Sequence, residues 1–154
     1  MAYGKELIID LYGCNVELFT RETIEKFMKE LCFFINMERA DLHFWDYEGV
    51  PDEEIDTEPH LRGTSAVQFI TTSDIVVHTL ELVGECYINV FTCKDFHAYN
   101  TADFIQNFFQ ARRRCDRTID RGVSSHCHGG QGMAGVPNIL LPEKERFGDC
   151  FPLC

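Results

Sequence analysis

The sequence predicts an α+β fold, a two-layer sandwich in which two helices cover one face of a small antiparallel sheet. Three observations carry this. Residues 21–36 and 101–112 repeat apolar side chains at spacings of three and four, the mark of an amphipathic helix. Short runs around them, such as KELIIDLY and GTSAVQFIT, have strand character. Residues 71–93, TTSDIVVHTLELVGECYINVFTC, read as two strands joined by a short turn. The expected order is β-α-β-β-β-α-β. Apolar residues on both parities of VQFI, IVVH and YINVF call for cover on the second sheet face as well, and hence for a homodimer.

The first strand is residues 5–12, ended by Gly13 and Asn15. Thr20 is a suitable N-cap for the helix at 21–36, with Thr23 rather than Glu at the capping-box position. Ile24, Phe27, Met28, Leu31, Phe34 and Ile35 form its inward face, and Cys32 is expected to be a buried small hydrophobe. Residues 41–47, DLHFWDY, make a short strand. Residues 48–62 hold two Pro, one Gly and six acidic residues, which predicts a long loop. Residues 63–71 resume strand character and lead into the hairpin. Thr101 is the expected N-cap of the second helix, with Phe104, Ile105, Phe108 and Phe109 inward, and residues 115–123 give a last strand.

From Ser124 the character changes to a Gly-, Pro- and Cys-rich tail with little periodicity. This predicts one domain at 1–123 and a tail at 124–154. Within the tail His126, Cys127 and His128 are too close in sequence to converge easily on one ion, and GGQGMAG lacks the strand, helix and GK[ST] of a phosphate loop, so no metal site is expected.

Charge narrows the function. With 25 acidic residues against 14 Lys and Arg, the net charge is −11, which repels a phosphate backbone and attracts a cationic small molecule. Nucleic acid is therefore not an expected partner. There is no run of about 18 apolar residues, so no membrane span is expected. The N-terminal stretch lacks the apolar core and cleavage site of a signal peptide, which predicts a cytoplasmic chain. Its eight cysteines, none in a CxxC pair, are then expected as thiols.

The hairpin raises the chemical question. A turn near Gly84 sets residue 78 opposite 87 and residue 73 opposite 92, so Ser73 and Cys93 meet at one end. His78 lies five strand residues from Ser73, about 16 Å away at ~3.3 Å each, and on the other face. Within one chain Ser73 and His78 share a site only if the strand bulges. Otherwise His78 comes from a second copy.

Together these residues resemble the bacterial and archaeal S-adenosylmethionine decarboxylase family. That family's segment runs close to ESHxxIHTWPE…GY…DxFTC, and here it stands as TSDIVVHTLEL…GECYINVFTC. GKELIIDLYGCN resembles the family's start, and GTSAV its G-V-S-G-V strand. The likeness covers about residues 4–123. It implies self-cleavage between Thr72 and Ser73 into chains 1–72 and 73–154, with Ser73 becoming a covalent pyruvoyl cofactor. Ser65 and His78 would assist processing, His78 as the base that takes the Cα proton. The pyruvoyl carbonyl would form a Schiff base with the substrate amine and take up electrons as CO2 leaves, and Cys93 would return a proton to the substrate. The family completes its sites across a dimer, which assigns Ser65 and His78 to the partner's site.

Two positions depart from the family. Leu82 stands where a glutamate would hold the ribose hydroxyls, with Glu81 one residue away on the wrong parity. Thr72 stands where many members have glutamate. The resemblance therefore implies an S-adenosylmethionine decarboxylase feeding spermidine synthesis. The alternatives are a pyruvoyl decarboxylase of a cationic amino acid, ornithine or arginine, and an unprocessed, non-catalytic homologue.

Overall fold

A computed structural model describes residues 2–55 and 57–123. The expectations for the tail, including those for His126, Cys127 and His128, fall outside the described residues.

The order is β1 (Gly4–Tyr12), α1 (Arg21–Phe34), β2 (Arg39–Trp45), β3 (Thr64–Ile70), β4 (Ser73–Leu80), β5 (Glu85–Thr92), α2 (Ala98–Phe108) and β6 (Arg113–Arg121). The strands form one antiparallel sheet in the order β2-β3-β4-β5-β1-β6. Four strands separate the helices, as the element-by-element reading lists them and one more than the expected order counts. The extra boundary is a two-residue turn, Thr71 and Thr72, between the paired Ile70 and Ser73. It carries no Gly, Asn or Pro, so the usual turn signal is missing from the sequence.

Period-two alternation sorts the sheet into two faces. Leu7, Ile9 and Leu11 of β1, Ile75 and Val77 of β4, and Ile88 and Val90 of β5 lie under the helices, all at most 1% exposed. The helices meet them through Ile24, Phe27, Met28, Leu31 and Ile105. Phe27 packs on Phe108 and Phe109 with ring centroids 5.1 and 4.7 Å apart, a tilted aromatic cluster that ties α1 to the end of α2. The opposite sheet face stays half-exposed, with Ile8, Val67, Val76 and Phe91 on it.

Local chemistry explains the helix ends. The Thr20 hydroxyl accepts from the Thr23 amide at 3.2 Å, as an N-cap should. The last turn corrects one expectation: Phe34 is 47% exposed and stacks on Phe104 outside the core, because the helix stops there and Asn36 takes a positive φ. The second helix begins three residues before the expected start, with His97 at the N-cap. Thr101 sits inside it, and its hydroxyl donates back to the His97 carbonyl at 3.0 Å rather than capping the helix.

Arg21, at the start of α1, donates to both oxygens of Asp46 at 2.6 and 2.7 Å and also pairs with Glu48. This fastens the long loop to the helix. The Asp46 carboxyl, with 10% side-chain exposure, is held below the usual carboxylate range by those Arg21 bonds. Its contribution to stability is complete above the unfolded value near pH ~4 and is lost as pH falls through the folded value. Between about pH 5 and about pH 3, the parent's melting temperature is therefore expected to fall more steeply than that of Asp46→Asn. Parallel thermal profiles would contradict this.

Candidate active site

β4 and β5 bring Ser73 and Cys93 together. Asp74 pairs with Phe91, which leaves Ser73 opening β4 beside Cys93, just past the end of β5. The Cys93 amide donates to Ser73 Oγ at 3.2 Å, and Ser73 Oγ donates to the Thr72 carbonyl oxygen at 2.7 Å. The Thr72 hydroxyl lies 3.1 Å from Cys93 Sγ. One cluster thus holds a hydroxyl, the carbonyl of the peptide bond before it, and a thiol.

Backbone packing fixes the Cys93 side of this cluster. Gly4 opens β1 against the end of β5, where a Cβ would come within 2.6 Å of the Thr92 carbonyl oxygen and 3.1 Å of Cys93 Cα. Cys93 is exposed and opens on two shallow pockets. One, of about 330 Å³, includes Tyr3, Gly4 and Lys5, and the other, of about 540 Å³, includes Asn36, Met37 and Thr72.

Ser65 and His78 form a second cluster. They are directly paired across β3 and β4, and Ser65 Oγ is 2.8 Å from His78 Nδ1. The couple sits on the half-exposed sheet face, in a row that runs Trp45, Ser65, His78, Tyr87 across four strands. The Tyr87 ring stacks on the imidazole, centroids 6.5 Å apart and planes at 23°. Tyr87 donates to Glu85 at 2.6 Å, and that bond, with burial, pushes its phenol up to about 12, so it stays protonated at neutral pH. No sequence motif marks Tyr87 as a site residue. The signal was present in the hairpin register, which already set position 87 opposite 78.

β4 runs straight between the clusters, without a bulge against β3 or β5. Ser73 and His78 therefore stay apart within the chain, five residues and one face removed. Glu81 and Leu82 lie in the turn beyond His78. The Glu81 carboxylate accepts from the Thr64 and Thr79 hydroxyls at 3.2 and 3.3 Å, on the helix-covered side. Leu82 is 51% exposed. The acidic loop reaches this turn rather than Ser73: Arg21, Asp46, Glu48, Arg62 and Glu81 line one cleft. Among the described residues, no three His, Cys, Asp or Glu side chains are grouped to hold a metal ion. Cys14, Cys32, Cys86, Cys93 and Cys115 are free thiols.

The chain is thus a two-layer α+β sandwich whose central hairpin joins a serine and a cysteine at one end. A sequence profile of S-adenosylmethionine decarboxylase matches residues 5–122, and the chain belongs to that family. An S-adenosylmethionine decarboxylase proenzyme of Caldicellulosiruptor saccharolyticus is 27% identical over 124 residues, covering 79% of this chain and 90% of the relative. The proenzyme of the same name from Aquifex aeolicus is 25% identical over 140 residues, covering 90% and 95%. A crystal structure of the adenosylmethionine decarboxylase from Aquifex aeolicus has the same fold, with a TM-score of 0.64, 22% identity, and coverage of 79% of this chain and 92% of that one.

Proposed function

We propose that this chain is a self-processing, pyruvoyl-dependent S-adenosylmethionine decarboxylase that cleaves itself between Thr72 and Ser73. The observation that carries this is the 2.7 Å contact between the Ser73 hydroxyl and the Thr72 carbonyl group, steadied by the Cys93 amide. A hydroxyl so placed needs only a small rotation to reach the carbonyl carbon. These residues fit the cofactor, because the side chain from which it forms already touches the bond that must break.

The partner subunit completes each site. His78 and Ser65 act on the Ser73 of the other chain, and the half-exposed sheet face forms the homodimer contact. With Nδ1 protonated and donating to Ser65 Oγ, His78 keeps a lone pair on Nε2 for the Ser73 Cα proton. Tyr87, stacked on the ring, holds its plane. The pyruvoyl group supplies the carbonyl that takes up the substrate amine and the electron pair left by CO2. Cys93 holds the proton that the substrate carbon then needs. The net charge of −11 favours the cationic sulfonium substrate. The product is the aminopropyl donor for spermidine synthesis in the cytoplasm.

Leu82 favours a second reading. An exposed leucine at the position expected to hold the ribose lacks a hydrogen-bond acceptor for its hydroxyls, and a cationic amino acid, ornithine or arginine, has no ribose to hold. CO2 release from S-adenosylmethionine, ornithine and arginine separates the readings. Release from S-adenosylmethionine alone supports the first, and release from ornithine or arginine alone overturns it.

Cys93→Ala tests the proton donor. Cleavage should survive while turnover falls by roughly a hundredfold, the scale of a lost general acid. Full turnover in this variant would refute the role.

A further inference from the structure

The two-residue turn between β3 and β4 holds an unusual backbone. Thr72 has φ +64°, in the left-handed region that a β-branched side chain avoids. Two other non-glycine residues among those described share a positive φ, Asn36 and Gln110. Both lie just past the last turn of a helix, where such a residue is ordinary. Thr72 is instead the second residue of a two-residue hairpin turn, a position where positive φ suits Gly or Asn and strains a β-branched residue. Its neighbours hold it in place: the Thr71 amide donates to the Glu38 carbonyl at 3.1 Å, and the Thr72 hydroxyl donates to the Thr71 carbonyl at 2.8 Å. The hydroxyl also rests 3.1 Å from Cys93 Sγ. The strained residue is thus the one whose carbonyl carries the scissile bond.

We propose that the left-handed backbone of Thr72 drives self-cleavage, and that residue 72 sets its rate through strain. This rests on the self-cleavage reading above. Ser73 Oγ bonds to the Thr72 carbonyl carbon as the C–N bond breaks, and the hydroxyl proton passes to the Ser73 nitrogen. The rigid peptide plane is replaced by an ester with a longer connection, so Thr72 can leave the left-handed region. Elimination then removes the Ser73 Cα proton and breaks the Cβ–Oγ bond. Thr72 leaves as a free carboxylate that keeps the oxygen, and residue 73 becomes dehydroalanine. Water replaces its nitrogen, which departs as ammonia. Strain present in the folded precursor and released along this path raises the ground state toward the barrier. Thr72 acts as a positioning residue, since its own side chain exchanges no proton.

Three replacements test this. Thr72→Gly and Thr72→Asn accept positive φ, and each should cleave about tenfold more slowly than the parent. Thr72→Val keeps the β-branch and loses the hydroxyl bonds, and should cleave faster than the Gly and Asn variants. In the uncleavable Ser73→Ala chain, Thr72→Asn should raise the melting temperature and Thr72→Val should not. Stability rising while cleavage slows is a pairing that a merely structural role does not produce. Parent-like cleavage in Gly and Asn, or a lower melting temperature with Asn, would overturn the proposal. Cleavage in Val as slow as in Gly and Asn would move the role to the hydroxyl and also overturn it. A parent chain that never cleaves would sink the self-cleavage reading together with this inference, whereas a cleaving parent with indifferent variants sinks the strain proposal alone.

Discussion

Ser73→Ala should leave the chain whole at 17.8 kDa under conditions that split the parent, with no CO2 released. Alanine removes the oxygen proposed to attack the Thr72 carbonyl, and without the ester it forms no elimination can convert residue 73. The fold should tolerate the change. Ser73 opens β4 at a half-buried position, and its lost bond to the Cys93 amide is exposed, so the cost is about 1 kcal/mol or less. A denaturing gel and a CO2 assay read both effects. Any cleaved product in this variant would refute the site assignment.

The second large effect concerns the two clusters. Ser73→Ala and His78→Ala chains, each inactive alone, should recover cleavage and turnover when co-expressed. The geometry requires this if Ser65 and His78 serve the partner. β4 is regular, so Ser73 and His78 stand about 16 Å apart and on opposite faces. In a mixed dimer the His78→Ala chain keeps Ser73, and the Ser73→Ala chain supplies an intact Ser65–His78 couple. One of the two sites is then complete. Random pairing gives roughly a quarter of the parent's sites, and a size tag should show that only the His78→Ala chain is cut. No recovery, or recovery with the tag on the other chain, would contradict the shared site.

Much of this arrangement is legible in the sequence because it rests on local periodicity. Alternation in KELIIDLY and ECYINVF fixes which face each strand buries, and Gly84 at φ +69° fixes the hairpin turn. That turn sets the register, and the register brings Ser73 to Cys93. The misses have a common physical cause, a tertiary contact standing in for a local signal. The Thr71–Thr72 turn carries no usual turn residue because neighbouring groups hold it, so the expected order counts one strand too few although residues 63–71 and the hairpin are read separately. Gln68 looks like an ordinary polar position in VQFI. It is instead fully buried, donating to the Ala40 and Asp41 carbonyls at 3.0 and 3.1 Å where β2 breaks register against β3. That irregularity belongs to another strand and leaves no trace around residue 68. The early start of α2 has the same character: Thr101 has the chemistry of a cap but spends its hydroxyl bond inside the helix.

The Ser65–His78 couple stands between these cases. Resemblance grouped the two residues, but only the pairing of β3 with β4 shows them as direct cross-strand neighbours. That register depends on the turn the sequence conceals.

The most direct test is the denaturing mass of the purified parent chain after incubation, joined to a carbonyl-reagent stain. The account predicts two chains, 1–72 and 73–154, with the second blocked at its N-terminus and stained. A single unstained chain of 17.8 kDa would contradict it.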